Sequence, residues 1–369
     1  MSMAPSTRDL LTLAAARRVV LCVGPGGVGK TTCAAALALG LAQSGRRVLV
    51  VTIDPSRRLA QALGFSSGGV AGGVELPVPL PGEGRGSLTA LWLAPDKVFA
   101  ELVRAYAADA ATAAAILANP LYQAMAENLG GAIEYAAMAK LQLLHAANRH
   151  DIIVLDTPPT ANAIDFLSAP ERLHELATNP ATRLIAGGGK LGSKLLGIGN
   201  GLVLKALGTI AGGSFLSDLG AFVRDFSGVL AAFQARAGDF QTLLTSPAVG
   251  VVLATSTSAF SVREALEFLK ILHTRGLHVD SVVLNRVLPP FPPPPADEAL
   301  HGLVAPDQLA RVKAAYAGLQ AQGEQALQAT RALASAYPTV PLWLLPQREP
   351  PPTALTDLQE LVSQMVRFG

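Results

Sequence analysis

Gly24-Pro25-Gly26-Gly27-Val28-Gly29-Lys30-Thr31, followed by Thr32, decides the fold of this 369-residue chain. A glycine, four residues and then Gly-Lys-Thr is the spacing of a phosphate-binding loop. The glycines let successive backbone N–H groups converge on an anion, and the helix that follows adds its partial positive end. The flanks agree. Arg18–Gly24 (RVVLCVG) reads as a buried strand, Lys30–Ser44 (KTTCAAALALGLAQS) as a helix and Arg47–Asp54 (RVLVVTID) as a second buried strand. Strand, helix and strand within about 40 residues make a βαβ unit and imply a parallel sheet. On this reading Gly24, Gly26, Gly27, Val28, Gly29, Lys30, Thr31 and Thr32 cradle a nucleotide's phosphates. Lys30 neutralises the β- and γ-phosphates, and the Thr31 hydroxyl takes Mg²⁺.

Outward from the loop the same alternation continues. Strands are expected at Leu88–Leu93, Ile152–Asp156, Gly250–Thr255, Ser281–Asn285 and Thr339–Leu345. Helical patterns fill Lys97–Leu117, Ile133–Ala147, Ser261–Thr274 and Pro306–Ala336, with a short capped leader helix within Ser6–Arg17. The fold class is therefore α/β, a doubly wound and mainly parallel sheet. Residues 64–87 are rich in Gly, Pro and Ser and read as a mobile loop. Residues 289–295 (PPFPPPP) read as a stiff connector or a ligand for a partner domain. Two acids emerge where apolar strands end. Asp156 closes Ile152-Ile153-Val154-Leu155, the place of a Mg²⁺-holding acid or of a simple turn cap. Asp54 closes the second strand, placed to orient an attacking water or to cap.

Composition limits the alternatives. Half of the residues are hydrophobic but only 15% are charged, against about 25% usually, so the chain can build a large core. The 29 Lys and Arg against 27 Asp and Glu leave a net charge of +2, with no general basic field for nucleic acid. Cys22 and Cys33 are too few for a disulfide framework or a Cys-based zinc site, and the six histidines lack metal-binding spacing. Mean hydropathy is +0.37, yet no charge-free apolar run reads as a membrane span; a cytoplasmic protein is expected, free or peripheral to a membrane. The apolar surplus gathers partly in the glycine-dense segment 187–229. That segment reads either as core packing between small-residue helices or as an apolar surface for a hydrophobic client.

Four segments together carry a family resemblance: GPGGVGKTT (24–32), TIDPSRRLAQALG (52–64), DTPPTANAIDFLSAPERL (156–173) and VVLNRV (282–287). From about Arg18 onward the chain resembles the ArsA family, which comprises arsenical-pump ATPases and ATPases that target tail-anchored membrane proteins. That family belongs to the dimeric, deviant P-loop NTPase class, with MinD, ParA and nitrogenase iron protein. The resemblance implies ATP/ADP and Mg²⁺ as cofactors, with Asp54 and Lys30 in the catalytic roles and Thr31 and Asp156 at the metal. It implies that Asn285 reads the adenine edge and that Pro346 lies against the base. It implies a nucleotide-gated dimer and a helical insertion subdomain that handles a client, with a groove drawn from Leu195, Leu196, Leu202, Val203, Leu207, Phe215, Leu219 and Phe222. The expected organisation is nucleotide-binding in 1–94, 148–164 and 241–369, and helical in 95–147 and 165–240.

The chain departs from the family's pattern in four places. Pro25 stands where the family usually has a lysine that reaches across the dimer. A homodimer must do without that charge or replace it, and a heterodimer could take it from a lysine-bearing paralogue. The cysteines of an arsenite site and the zinc-binding Cys pair of the targeting ATPases are missing, so no zinc is expected. Methionines (Met1, Met3, Met125, Met138 and Met365) avoid 187–229. Against a MinD-like membrane anchor, the apolar stripe Leu355, Leu358, Leu361, Val362, Met365 and Val366 has no basic face and is expected to pack on the domain. No cysteine follows Asp156, so no Fe–S cluster is expected, and no DNA-binding patch is evident. The expected function is ATP-driven handling of a hydrophobic protein segment, with an ATPase for an anion pump as the alternative. A MinD/ParA-like positioning ATPase is the further alternative.

Overall fold

The computed structural model describes residues 8–53, 58–65, 72–82, 85–120, 122–123, 133–157, 163–164, 166–168, 225–226, 228–229, 231–232, 235, 238–288, 305–348 and 350–368. β1 (Val19–Val23) is buried along its whole length and lies inside a nine-stranded sheet. The other strands are β2 (Arg47–Thr52), β3 (Glu75–Val78), β4 (Ser87–Trp92), β5 (Ile152–Asp156), β6 (Val249–Ser256), β7 (Val279–Val287), β8 (Leu342–Pro346) and β9 (Val366–Phe368). Their order is β3-β4-β2-β5-β1-β6-β7-β8-β9. The inner pairs are parallel, and only the edge pairs β3–β4 and β8–β9 are antiparallel. Apolar, β-branched runs such as VVLCV, and IIVL before Asp156, suit strands covered on both faces. The chain crosses one way from β1 to β2 and the other way from β5 to β6. A crevice therefore opens at the carboxyl ends of the central strands, where such sheets bind ligands.

Two compact units divide the chain: Met1–Trp92, Arg149–Ala163 and Thr245–Gly369 form one, and Leu93–Asn148 with Ile164–Leu244 the other. In the first, α2 (Lys30–Gln43) buries eleven of its fourteen residues, mostly Ala and Leu. Small side chains let a helix lie close to the sheet and still take others above it. Gly40 shows the closeness: a Cβ there would sit 3.0 Å from Leu11 of α1 (Arg8–Ala15) and 3.4 Å from Val362 of α9 (Leu355–Ser363). Leu10, Leu358, Leu361 and Met365 are buried in that same core, and Leu355 and Val362 pack against it. The C-terminal apolar stripe from Leu355 to Met365 is thus used in packing, whereas its last residue, Val366, is exposed; part of the apolar surplus is this layer. Among the described residues this unit also has the helices α3 (Arg58–Ala62), α7 (Ala259–Thr274) and α8 (Pro306–Ala336).

The second unit holds α4 (Pro95–Tyr106), α5 (Ala110–Ala118) and α6 (Ile133–Ala147). Its small core gathers Val103, Ala113, Ile116, Tyr122 and Val229, and Phe166 meets Phe240 edge-on with centroids 5.7 Å apart.

Three local readings change. The single helix expected over Lys97–Leu117 is two, because the Asp109 carboxylate accepts from the Thr112 N–H at 2.7 Å and caps α5. The segment expected as a loop over 64–87 contains β3, an edge strand short enough to hold Pro77. α9 stops at Ser363, and Val366–Phe368 turns back as β9 along β8. The segment 289–295 and all eight groove candidates, Leu195 to Phe222, lie outside the described residues. No described helix is long and apolar enough to cross a membrane.

Candidate functional site: a phosphate loop at the sheet's carboxyl edge

Gly24 leaves β1 at φ 146°, and a Cβ there would collide with the Ala254 carbonyl of the neighbouring β6. Only glycine lets the chain turn this close to the next strand. Gly27 and Gly29 follow at φ 74° and 95°, both left-handed, and Gly29 caps α2. Val28 between them is buried and anchors the loop in the core. The loop thus has an apolar root and an exposed tip at Gly26 and Gly27. Lys30 begins α2 and is only 7% exposed; its ammonium donates to the Pro25 carbonyl at 2.8 Å. A buried cation folded back on a glycine-rich loop at a helix start is an arrangement that can take an anion.

Sheet register brings the acid to this loop. Cys22 of β1, Asp156 of β5 and Thr52 of β2 are aligned across three parallel strands. Thr52 and Asp156 are 2% and 1% exposed, and the Thr52 hydroxyl donates to Asp156 Oδ2 at 3.0 Å. Next along the chain, Thr157 donates both its N–H (3.2 Å) and its hydroxyl (2.8 Å) to the Cys22 carbonyl. These bonds hold Asp156 at the end of β5 beside the strand that feeds the loop. Thr52 was missed by sequence reading. Its signal was a lone hydroxyl at the carboxyl end of an apolar strand, two residues before Asp54.

A cavity of about 890 Å³ opens here, lined by Gly27, Gly29, Lys30, Thr31, Thr32 and Thr157, with Arg58 and Arg286 on its walls. A second, of about 590 Å³, shares Gly29, Thr32 and Arg286 with it and extends to Asn285, Pro346 and Arg348. The amide of Asn285 is fixed: Nδ2 donates to the Val28 carbonyl at 2.8 Å, and Oδ1 accepts from the Arg286 N–H at 2.9 Å. One N–H and one lone pair remain on that amide. Pro346, the last residue of β8, borders the second cavity. Asp54 lies outside the described residues, as do Pro158 and Pro159; β2 ends at Thr52 and Ile53 is buried.

The donor set fits a Mg²⁺–phosphate ion. Mg²⁺ is held by one or two carboxylates or hydroxyls together with substrate phosphates and water, not by an all-protein cage. Thr31 and Asp156 are of that kind, and among the described residues no cluster of three His, Cys, Asp or Glu suits a metal otherwise. The cysteines do not fit a soft ion. Burial above all, with the Asp156 charge second, pushes the Cys33 thiol up to about 12 and the Cys22 thiol well above its ordinary range. Thiols held protonated are poor metal ligands.

Comparison with known proteins gives the family. A family model, anion-transporting ATPase of the ArsA type, matches residues 17–293. An uncharacterized protein of Streptomyces coelicolor is 32% identical over 78% of this chain and 66% of its own length. The ATPase GET3 of Malassezia globosa is 30% identical over 43% of this chain and 44% of its own. A protein of Aquifex aeolicus named as an arsenical pump-driving ATPase is 23% identical over 74% and 64%. The chain thus spans less than two thirds of the length of each of these relatives. ATP hydrolysis, with the nucleotide and Mg²⁺ binding it requires, is the chemistry of that family. The chain belongs to the ArsA family of anion-transporting ATPases.

Proposed function

We propose that this chain hydrolyses ATP at the carboxyl edge of its sheet and uses the cycle to gate a dimer that handles a hydrophobic client. The observation that carries the ATPase reading is the junction of the β1–α2 loop, with Lys30 held over it, and Asp156, held by Thr52. Loop N–H groups and Lys30 take the β- and γ-phosphate oxygens. Thr31 and Asp156 hold Mg²⁺, which supplies charge neutralisation on the phosphates when bound. Asp54 orients a water for in-line attack on the γ-phosphorus. The bond to the β–γ bridging oxygen breaks, giving ADP and inorganic phosphate. The free hydrogen-bonding edge of Asn285 faces the adenine, with Pro346 against the ring.

Family membership supports the dimer and the client, with nucleotide-binding segments 1–94, 148–164 and 241–369 and helical segments 95–147 and 165–240. The client reading assigns a hydrophobic protein segment, such as a membrane-protein helix, to 187–229. An anion-pump ATPase is the second reading; the buried, protonated state of Cys22 and Cys33 argues against these thiols as an arsenite site. Against a MinD/ParA-like membrane element, Leu358, Leu361 and Met365 of the C-terminal stripe are buried in the core, while Val366 is exposed.

A pair of variants tests the reading. Lys30→Ala should abolish both tight ATP binding and turnover, whereas Asp54→Asn should keep binding, lose turnover and hold the ATP-bound dimer in light scattering. Wild-type turnover in Lys30→Ala would reject the site. Monomers at every nucleotide state and concentration would reject the gated dimer.

A further inference from the structure

Arg286 has a backbone that its side chain does not favour. Its φ is 59°, and Asn148 is the only other described non-glycine residue with a positive φ. For a bulky residue this left-handed conformation is an outlier that surrounding structure must enforce. The enforcement is visible. β7 pairs with β8 at Asn285↔Leu345 and next at Val287↔Pro346, so Arg286 is skipped by the ladder. Its N–H donates instead to Asn285 Oδ1, while Asn285 Nδ2 donates to Val28 in the phosphate loop. A bulge of this kind re-aims a side chain. Here it is latched to the loop through one buried amide.

The re-aimed side chain is exposed and lines both cavities, the phosphate one and the one at Asn285 and Pro346. Among the described residues its guanidinium pairs with no carboxylate, unlike those of Arg17, Arg47, Arg149 and Arg348. No Asp or Glu is among the described residues lining either cavity, whereas Lys30 and Arg58 are. A cation maintained in a strained backbone at the seam of two joined cavities, with no Asp or Glu among the described residues lining them, suits an anionic ligand there. Pro25 leaves the loop itself without a second positive side chain.

We propose that Arg286 is a nucleotide-contacting residue: the bulge holds its guanidinium on the phosphate chain where that chain passes from the base cavity to the loop, so that one protomer supplies a positive charge in cis. This rests on the reading of the cavity as an ATP site.

The test measures binding of ATP, ADP and adenosine to the full chain and to Arg286→Gln, Arg286→Lys and Arg286→Gly, with melting temperatures. Arg286→Gln should weaken ATP and ADP about ten-fold or more, as expected for loss of a charge-assisted hydrogen bond, and leave adenosine unchanged. Arg286→Lys should recover part of the loss. Arg286→Gly suits the left-handed backbone, so it should melt no lower than wild type and still lose phosphate-dependent affinity. ATP binding within two-fold of wild type in Arg286→Gln and Arg286→Gly would overturn the proposal. So would equal losses of adenosine and ATP accompanied by a lower melting temperature, the mark of a purely structural residue. Failure of the wild-type chain to bind ATP would instead remove the nucleotide reading itself, and this proposal with it.

Discussion

Thr52→Val separates the scaffold from the chemistry. The substitution keeps the β-branched shape that β2 needs and removes only the hydroxyl that donates to Asp156 Oδ2 at 3.0 Å. Both partners are buried, so solvent does not replace the bond. A hydrogen bond to a charged group contributes about 1.5–3 kcal/mol, and burying a methyl in place of the hydroxyl offsets part of that. A net loss of roughly 1–2 kcal/mol would lower the melting temperature of a unit of this size by about 2–8 °C. The functional consequence is separate. Residues that orient a metal-holding group typically change metal affinity 10- to 100-fold. At saturating ATP, Mg²⁺ titration of turnover should therefore show a half-saturation point at least ten-fold higher in Thr52→Val, with maximal turnover approached at high Mg²⁺. Thr52→Ser retains the donor and should restore most of the Mg²⁺ response. A variant that melts lower but needs no more Mg²⁺ than wild type would refute the positioning role and leave Thr52 a packing residue.

Two further outcomes follow from local geometry. Gly27→Ala and Gly29→Ala both place a Cβ at positive φ, a cost of about 1–2 kcal/mol, but only at Gly29 would that Cβ collide with Asn285 Nδ2. Gly29→Ala should therefore melt lower than Gly27→Ala by the extra loss of the Asn285–Val28 bond, about 1 kcal/mol; equal melting of the two would show that Asn285 does not latch the loop. At the opposite edge of the sheet, hydrogen bonds from the Arg47 side chain and backbone lower the Asp151 carboxyl to about 2. A depressed carboxyl stabilises the fold above its unfolded value near 3.9 and loses that contribution as pH falls toward 2. Because the pair is partly exposed, the effect is small. Denaturant midpoints between pH 5 and 2 should fall less steeply in Asp151→Asn than in wild type; identical slopes would count against the linkage.

What the sequence determined here was local or periodic. The spacing Gly24 to Thr31 encodes a strand-to-helix turn by itself, because glycines at positive φ and a helix start are set within eight residues. Apolar runs ending in Asp156 and Asn285 announced strands whose last residues face the carboxyl edge of the sheet. The Ala- and Leu-rich run Lys30–Ser44 announced a helix, and its burial on nearly every side came with the tertiary structure. Short elements were poorly legible: β3 and β9 owe their existence to pairing with β4 and β8, not to their own four and three residues. Tertiary structure alone decided what depends on register between distant segments. It set Thr52 level with Asp156, 104 positions away, and it fixed Asn285 to Val28 across 257 positions. It also skipped Arg286 in the ladder and so aimed a strand residue into the cavity. No periodicity encodes such a bulge, because the partner strand and the loop that latches it come from opposite ends of the chain.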